Sequence, residues 1–451
     1  MKSIFEKNFA GFKNYRAIEK DTIVDVAIVG GGLSGLLCAY HLSKLGIRAA
    51  VFEANKIAGA TTAKSTATLT ALQSPMYKDL IKKNSYAKDY IKAHKEAIKL
   101  YKQIIDENKI ECDFEYKDAY IYASNKKSTK KLQKEFESLK KLDNDIAWVH
   151  TKLGSSIKME NQAQFNVLKF LSGLPFDFDI YENTRIVDFI LDEGLLISQT
   201  GHKIKANKII IATRFPPVLS EVYYFKMYQA KSYVIAFKNA EELDGLYTGS
   251  GDESLYMRSY GEYLILGGFD HRAGRHKMDV NYYEKLKHAA KKYFRIDENQ
   301  IEYAWSGMDS VTYDKIPFVG SLSEKHTNTF VITGFNEWGI LNAMICSRIA
   351  ANAIIHKEDE YFKTFSSHRP YCRRNIGSFL PHALIATGAL IKGLFQGKKR
   401  CGHIGCGLRF NSIENVYECP CHGSRYDIDG NLLDGPSTKC VQTHKKTNDT
   451  Q

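Results

Sequence analysis

The residues with the clearest chemical potential lie near the end of the 451-residue sequence. Cys401 is followed closely by His403, and Cys419 is followed closely by His422. Thiolates and neutral imidazoles are the protein ligands of zinc and of iron–sulfur centres. The pattern therefore predicts a metal centre that draws one cysteine and one histidine from each of two loops.

Two interpretations of this centre remain open from the residues alone. A zinc site can be built from two cysteines and two histidines, but such sites usually contain like pairs with a wider histidine spacing. Zinc would also leave Cys406, Cys421 and the Pro-Cys-His-Gly-Ser run from Pro420 to Ser424 unexplained. An iron–sulfur centre is the favoured interpretation, and Cys440 lies outside the pattern.

This segment resembles the Rieske [2Fe–2S] family. The resemblance implies that Cys401 and Cys419 bind one iron of the cluster. It implies that His403 and His422 bind the other iron. It also implies a disulfide between Cys406 and Cys421 that joins the two cluster loops. It also implies that the hydroxyls of Ser424 and Tyr426 hydrogen-bond to cluster sulfur atoms and raise the reduction potential. Gly402 departs from the family, which usually has threonine there, and few residues precede Cys401, so we expect an abbreviated domain.

A second pattern occurs near the start of the chain. The β-branched run 23–29 predicts a buried strand, which leads directly into a glycine-rich turn and a helix. Gly30 permits a tight turn, Gly32 lets the backbone approach a pyrophosphate, and Gly35 lets helix and strand pack closely. Glu53, at the end of the next strand, can accept hydrogen bonds from ribose hydroxyls. Together these features predict a dinucleotide-binding fold.

Four segments in order resemble the D-amino-acid-oxidase-like flavoproteins: 57–67, 181–186, 208–213 and 330–340. The resemblance covers about residues 20–365 and implies FAD rather than NAD as the cofactor. It implies FAD contacts at Gly30, Gly32, Gly35, Glu53, Thr61, Thr62, Lys64, Ser65, Thr66, Ile186, Ala212, Thr213, Gly334, Trp338 and Gly339. Arg214 and Phe215 depart from the family, where a glycine is common. No second glycine triplet follows a strand, so we expect no built-in NAD(P)H site.

The predicted fold class is α/β, with a Rossmann-like FAD-binding domain, an antiparallel substrate domain and a small all-β Rieske domain. We expect the FAD-binding domain to be discontinuous (20–95, 175–220 and 305–365) and the substrate domain to occupy 96–174 and 221–304. A linker helix (366–398) would then lead to the Rieske domain (399–451). The linker contains an apolar stretch that is too short and too interrupted to span a membrane.

The substrate site is less sharply indicated. In the resembled family an antiparallel sheet covers the flavin and forms the substrate pocket, and we name Arg258, Tyr256, Tyr313 and Trp338 as pocket candidates. An arginine can hold a carboxylate through two parallel hydrogen bonds. For Arg258 taken by itself, a surface or structural role is the favoured interpretation. No histidine pair or carboxylate pair indicates acid–base catalysis, which fits a flavin enzyme whose protein part mainly positions the substrate.

Composition excludes several classes of protein. Hydrophobic residues make up 44% and charged residues 25%, as in folded proteins rather than disordered ones. The net charge of +12 is spread over many lysines without a nucleic-acid-binding motif, so we expect no nucleic-acid partner. The charged N-terminus does not resemble a secretory signal, and we expect a cytoplasmic protein without a transmembrane segment.

These features predict an FAD-dependent dehydrogenase that oxidises a small amine, amino acid or hydroxy acid by hydride transfer. A flavin accepts two electrons and can release them singly, whereas a Rieske cluster carries one, so the pair suggests a relay to an external protein or quinone. The direction of electron flow stays open. The alternatives are an oxidase that uses oxygen and keeps a structural or sensing cluster, and a non-enzymatic electron carrier.

Overall fold

The structure is a computed structural model. It describes residues 2–83, 86–218, 223–251, 255–275, 280–369, 384–391, 393 and 399–441. Most of the predicted linker helix (366–398) lies outside the described residues, although 384–391 is helical. Among the residues described, no helix is both long enough and apolar enough to cross a membrane.

Eleven helices have assigned bounds within the described ranges. They are α1 (Ile4–Lys7), α2 (Leu33–Lys44), α3 (Thr61–Lys64), α4 (Tyr77–Lys83), α5 (Ala87–Glu107), α6 (Lys126–Leu139), α7 (Val167–Ser172), α8 (Tyr223–Lys226), α9 (Tyr282–Phe294), α10 (Gly339–Ile354) and α11 (Phe362–Phe365).

The strands form three sheets. The first contains β1 (Thr22–Val29), β2 (Ala49–Phe52), β7 (Asp179–Tyr181), β8 (Ile186–Ile190), β9 (Leu195–Ser198), β10 (Lys203–Ile211), β16 (Phe318–Ser321) and β17 (Thr329–Thr333). The second contains β3 (Thr68–Leu69), β4 (Glu115–Ala123), β5 (Ile146–Thr151), β6 (Gly154–Gln164), β11 (Met227–Lys238), β12 (Gly245–Gly249), β13 (Tyr256–Tyr260), β14 (Tyr263–Arg272) and β15 (Ile301–Thr312). The third contains β18 (Arg409–Asn411), β19 (Val416–Glu418), β20 (Arg425–Tyr426) and β21 (Leu432–Asp434).

The first sheet has a parallel centre in the order β17-β10-β1-β2-β7. Its strands are apolar along much of their length, as expected for a parallel sheet that is covered by helices. Helices α2 and α10 cover one face of the sheet and bury it in the main core. Parallel strands bring their carboxyl ends to one edge. The glycine turn after β1, the end of β2 and the end of β10 therefore meet at that edge, where α2 begins.

The second sheet is mainly antiparallel, in the order β15-β11-β14-β13-β12-β4-β6-β3. Alternation along β13 places Tyr256 and Arg258 on one face and Met257 on the other. Met257 packs in an apolar cluster with Leu286 of α9. The opposite face, with Tyr256 and Arg258, is turned toward the first sheet.

The third sheet is a four-stranded antiparallel meander that begins after Cys401. It carries the cysteine- and histidine-rich loops at one end. The three sheets confirm the predicted combination of an α/β domain, an antiparallel domain and a small all-β domain. The domain boundaries themselves stay predictions, and the one proposed at residue 305 falls inside β15.

Candidate functional site

The glycine turn has the geometry that its sequence predicts. Gly30 has φ +110°, and a Cβ there would lie 2.9 Å from Ala212 O. At Gly35 a Cβ would lie 1.9 Å from Gly30 O, so only glycine lets α2 pack this closely on the turn. At Gly32 the nearest atom to a Cβ would be Thr62 Oγ1 at 3.4 Å. Gly32 is therefore the position where the turn stays open.

Glu53 and Thr62 hold this turn in place. Glu53 Oε2 accepts from the Gly31 N–H at 2.8 Å, and Oε1 accepts from the Asn55 N–H at 2.8 Å. Burial raises the pKa of Glu53, although these two hydrogen bonds oppose the shift. Thr62 Oγ1 accepts from the Leu33 N–H at 3.0 Å in the first turn of α2. Gly32 caps α2 without a side chain, so the positive end of the helix dipole is open to an anion.

A cavity opens in front of this turn, and we call it the glycine-turn cavity. Eleven of the residues predicted to contact FAD line it: Gly30, Gly32, Glu53, Thr61, Thr62, Ser65, Ile186, Ala212, Thr213, Gly334 and Gly339. Arg214 and Phe215 line it too, as does the segment 434–438, which begins at the last residue of β21. Residues of the first sheet and of the third sheet therefore share one cavity.

A second cavity of about 470 Å³ adjoins the first, and we call it the Arg258 cavity. Thr61, Ser65, Asp309, Gly339 and Ile340 line both cavities. Its volume falls within the range of roughly 300–1,000 Å³ that is typical of small-molecule sites. The remaining predicted residues on its wall are Lys64, Thr66, Tyr256, Arg258 and Trp338.

Two predicted residues lie elsewhere. Gly35 is not among the described residues that line either cavity, because its contribution is the close contact between α2 and the turn. Tyr313 is also absent from both linings and is 5% exposed. It follows the last residue of β15 and packs in an apolar cluster with Tyr223 and Phe318, which accounts for its position away from the cavities.

Arg258 is a buried arginine with little hydrogen bonding. It is 1% exposed, and its guanidinium lies 5.4 Å from the ring centroids of Phe5 and Tyr260. Among the described residues, its Nη2 donates to Phe165 O at 3.3 Å, whereas Nε and Nη1 have no partner. Burial lowers the pKa of Arg258 to about 9. Unpaired donors on a buried cation are costly, so this arrangement favours an anionic ligand.

Tyr256 stands beside Arg258 because its ring fills space left by a glycine. Tyr256 pairs with Gly267 across β13 and β14, where a Cβ would lie 2.2 Å from the tyrosine ring. Burial raises the pKa of Tyr256, so the phenol is protonated at neutral pH.

Three carboxylates that no sequence pattern indicated lie on the wall of the Arg258 cavity: Asp270, Asp309 and Glu337. The Glu337 N–H donates to Asp309 Oδ2 at 2.8 Å. Asp270 and Glu337 are exposed because the cavity admits solvent, but the surrounding protein reduces their hydration and raises the pKa of all three carboxyls, that of Asp309 to about 7. They come from three distant parts of the chain, so no local spacing indicates them.

The cysteine-rich loops form a separate buried centre. Cys406 and Cys421 form a disulfide. The Cys401 thiol lies beside that of Cys419 and 3.2 Å from the Tyr426 hydroxyl. The sulfur atoms of Cys406, Cys419 and Cys421 lie within 4.8 Å of one another, but the disulfide leaves Cys419 as the free thiol of that group.

The two histidines that the sequence predicts as ligands, His403 and His422, lie close together in this centre. The imidazole centroids of His403 and His422 are 5.4 Å apart, and burial lowers their pKa values to about 4 and about 3, so both rings are neutral. His422 Nε2 donates to the carbonyl of Tyr224 at 3.0 Å, which fixes the tautomer because a carbonyl only accepts. His422 Nδ1 and both ring nitrogens of His403 are buried without a partner in the described part of the chain.

The histidine side of the centre faces the first sheet. The ring centroid of Phe215 lies 4.7 Å from that of His422 and 6.5 Å from that of His403. Phe215 is 3% exposed and also lines the glycine-turn cavity. Phe215 thus contacts the histidine side of the cysteine-rich centre and forms part of the wall of the glycine-turn cavity.

Buried charges fasten the third sheet to the second. Lys231 of β11 is fully buried and contacts Glu414 at 2.7 Å and Glu418 at 2.6 Å. Arg272 Nε donates to Pro420 O at 3.1 Å in the loop that carries His422. The cysteine-rich domain is therefore docked through specific contacts rather than through a loose surface.

The fold and both sites define an FAD-dependent oxidoreductase that contains an iron–sulfur centre. The chain belongs to the FAD dependent oxidoreductase family, DAO, whose pattern matches residues 25–353. The Rieske [2Fe-2S] domain family matches residues 392–445.

Similar proteins share both parts or one part. The chain is 31% identical to a putative Rieske 2Fe-2S iron-sulfur protein, YhfW of Bacillus subtilis, over 96% of each chain. It is 46% identical over 48 residues to a cytochrome b6-f complex iron-sulfur subunit of Nostoc, covering 10% of this chain and 27% of that one. Glycine oxidase from Geobacillus kaustophilus has the same fold at 19% identity, with a TM-score of 0.65 and coverage of 77% and 99%. L-proline dehydrogenase from P. horikoshii matches at 14% identity, with a TM-score of 0.63 and coverage of 78% and 98%.

The residues present fit both cofactors, FAD and a [2Fe–2S] cluster. The open turn at Gly32 and the uncapped start of α2 suit a pyrophosphate. Two free thiols and two neutral histidines suit a Rieske cluster, because some of the buried ring nitrogens have no hydrogen-bond partner among the described residues. The disulfide excludes Cys406 and Cys421 as ligands. The match to the Rieske [2Fe-2S] domain family and the disulfide between the two loops favour iron–sulfur over the zinc alternative.

Proposed function

We propose that this protein is an FAD-dependent dehydrogenase that oxidises a small amine, amino acid or hydroxy acid and passes electrons singly through its Rieske cluster to an external acceptor. The acceptor is a protein or a quinone. FAD supplies the capacity to take a hydride and release two electrons in separate steps, and the cluster carries one electron at a time. Cys401, Cys419, His403 and His422 are the proposed cluster ligands.

The position of the histidine side of the cluster site carries this proposal. Phe215 lines the glycine-turn cavity and lies 4.7 Å from His422, centroid to centroid. Short distances between redox sites favour direct electron transfer. A structural or sensing cluster has no need to turn a histidine ligand toward the flavin site, so the relay is favoured over the oxidase alternative.

Among the three substrate classes, the Arg258 cavity favours an amino acid. The unpaired N–H groups of Arg258 suit a carboxylate, which they can bind through charge-assisted hydrogen bonds. Asp270 and Glu337 on the wall of the same cavity suit an ammonium group, because its positive charge would offset their burial and favour the ionised carboxylates. An amine would leave Arg258 unpaired, and a hydroxy acid would lack the ammonium group that Asp270 and Glu337 suit.

Three groups would position such a substrate. Arg258 holds the carboxylate, and Tyr256 closes the cavity beside it. Asp309, with its pKa near neutrality, can accept a proton that the substrate amino group releases when it is oxidised. Because Asp309 lines both cavities, it lies where the substrate would meet the flavin.

A non-enzymatic electron carrier is the less favoured alternative. Such a protein needs no substrate cavity next to its flavin, whereas here a cavity of about 470 Å³ shares its wall with the glycine-turn cavity.

An anaerobic experiment tests the proposal. The FAD-loaded protein is mixed with small amino acids, the matching amines and the matching hydroxy acids, and flavin bleaching identifies the substrate. Turnover is then measured with cytochrome c as a one-electron acceptor and, separately, with oxygen. His422→Ala should leave flavin bleaching intact and abolish most cytochrome c reduction, while the exposed control His150→Ala changes neither. Unchanged cytochrome c reduction in His422→Ala, or peroxide formed at the full turnover rate, would contradict the relay.

A further inference from the structure

The FAD cavity has a wall that does not come from the flavoprotein part of the chain. The segment 434–438, which we call the 434–438 loop, begins at the last residue of β21 in the Rieske domain and lines the glycine-turn cavity. It faces residues such as Gly30, Glu53 and Thr213 in the same cavity. A cofactor in this cavity would therefore contact both domains.

One ion pair joins the loop to the opposite wall. Arg214 Nη1 donates to Asp434 Oδ2 at 2.8 Å and to Thr61 Oγ1 at 3.3 Å. The side chain of Arg214 is 12% exposed and that of Asp434 is 33% exposed. Burial by itself would raise the pKa of Asp434, but the charges of Arg214 and Arg425 outweigh it and keep the pKa below its usual value. Asp434 is therefore ionised and holds Arg214 at the cavity wall.

Arg214 has hydrogen-bonding capacity left over. Its Nε is buried and has no partner within the ranges that the structure describes. Its own carbonyl is fixed by the hydroxyls of Ser310 at 2.6 Å and Thr333 at 2.7 Å, so the backbone at Arg214 is held firmly. A fixed arginine with a spare N–H on a cavity wall suits the phosphate or ribityl oxygens of FAD.

The loop is held equally firmly from the cluster side. The Ser437 N–H donates to Ser424 Oγ at 3.2 Å, and a Cβ at Gly435 would lie 2.5 Å from the Ser424 Cα. Gly435 has φ +110°, so a side chain there would also strain the backbone. Ser424 is close to the cluster ligand His422 in sequence, so the loop touches the two cofactor sites on its two sides.

We propose that the 434–438 loop and Arg214 complete the FAD site, so that FAD binding and docking of the Rieske domain stabilise each other. Arg214 is the binding residue, and Asp434 is a positioning residue that acts through it. The coupling is reciprocal: a ligand that contacts both domains favours their docked arrangement by the same factor by which docking favours the ligand. The inference requires FAD as the cofactor but not the proposed substrate, acceptor or direction of electron flow.

The first measurement is FAD affinity. FAD is removed from the full chain with its cluster retained, which electron paramagnetic resonance verifies, and is titrated back while flavin fluorescence is followed. Asp434→Asn and Arg214→Met should each weaken FAD binding about tenfold, within the usual range of coupling between sites. The double variant should bind no more weakly than the single ones, since both act through one pair. Asp429→Asn, an exposed carboxylate in the same domain, is the matched control and should bind FAD normally.

The second measurement needs no substitution. Hydrogen exchange of the wild-type chain, with and without FAD, should show slower exchange in the 434–438 loop when FAD is bound and no change in the neighbouring turn 427–431. A merely structural role of Asp434 would not produce this protection. Unchanged FAD affinity in folded, cluster-loaded variants overturns the proposal. If the variants fail to fold, the exchange measurement decides alone: equal hydrogen-exchange rates in the 434–438 loop with and without FAD overturn the proposal.

Discussion

The imidazole of His422 lies against the ring of Phe215, with 4.7 Å between the ring centroids, and its Nε2 donates to the Tyr224 carbonyl. The contact buries His422 to 1% exposure. The proposed ligand is thus held between the cluster loops and the wall of the FAD cavity, and the proposed electron relay rests on this arrangement.

Replacing Phe215 should slow electron transfer between the cofactors. In Phe215→Leu the apolar contact is partly kept but the ring beside His422 is lost. We expect a severalfold slower reduction of the cluster after flash photoreduction of the flavin, followed by cluster absorption. Phe410→Leu, at an exposed site in the Rieske domain, should leave this rate unchanged. Equal rates for Phe215→Leu and the wild type would mean that the route lies elsewhere.

Arg258 should show opposite effects on stability and on substrate binding. Arg258→Met removes a buried guanidinium with unpaired donors, so the ligand-free protein should become no less stable, or more stable, in thermal unfolding. The same change should lower kcat/KM for an amino acid at least about tenfold, because a charge-assisted hydrogen bond contributes roughly 1.5–3 kcal/mol. The corresponding amine, which lacks the carboxylate, serves as the control. An equal loss with both compounds would argue that Arg258 only supports the fold.

Lys231 should be essential for docking of the Rieske domain. Lys231→Met would leave Glu418 buried without its direct ion-pair partner, while Glu414 would keep Arg425 at 2.7 Å, and breaking a buried pair in this way costs about 3–5 kcal/mol. We expect a lower unfolding temperature and a reduced yield of cluster-loaded protein. Lys238→Met lies on the same strand but removes solvent-exposed ion pairs, so its effect should be small. Similar behaviour of the two variants would contradict the role of Lys231.

Asp309 should make the stability of the FAD-free protein depend on pH. Burial raises its pKa in the folded state to about 7, whereas an unfolded aspartate has a pKa of about 3.9. The protonated folded form is therefore favoured at low pH, and its contribution is lost as the pH rises through about 7. Relative to Asp309→Asn, the wild-type unfolding temperature should fall by several degrees between pH 4 and 8. A constant difference across that range would show that Asp309 ionises normally.

Alanine substitutions of Gly35 and Gly32, two glycines of the same turn, should affect stability and FAD binding differently. The Cβ of Gly35→Ala would lie 1.9 Å from Gly30 O, so this variant should unfold at a lower temperature even without FAD. The Cβ of Gly32→Ala would meet Thr62 Oγ1 at 3.4 Å, an ordinary contact, but would project toward the cavity. Gly32→Ala should therefore keep its unfolding temperature and lose FAD affinity in the fluorescence titration. If Gly32→Ala lost stability but kept its FAD affinity, the proposed role of Gly32 in binding FAD would be contradicted.

The glycine turn and the Cys–His loops could be predicted from the sequence because each is formed by residues that are close together in the chain. The turn from Gly30 to Gly35 joins one strand to one helix, so its spacing determines which backbone atoms approach each other. The predicted cluster residues likewise lie on two short loops, and the disulfide between Cys406 and Cys421 follows the resemblance. The fold class and both cofactors followed from these patterns.

Contacts between distant segments were not readable. Asp270 and Asp309 lie on β14 and β15, which flank β11 in one sheet, and Glu337 joins them from the turn before α10 through its hydrogen bond to Asp309. No residue spacing reveals this arrangement. Tyr313 was predicted at the pocket from its position in the chain, but it packs in an apolar cluster.

The sequence alone determined that the chain has a dinucleotide turn and a pair of Cys–His loops, since each depends on residues a few positions apart. The tertiary structure decided how the two face each other. Arg214 and Phe215, which depart from the family pattern, contact Asp434 and His422, and Lys231 neutralises Glu418. Burial of these groups depends on how two domains pack, and packing is a property of the whole chain rather than of any motif.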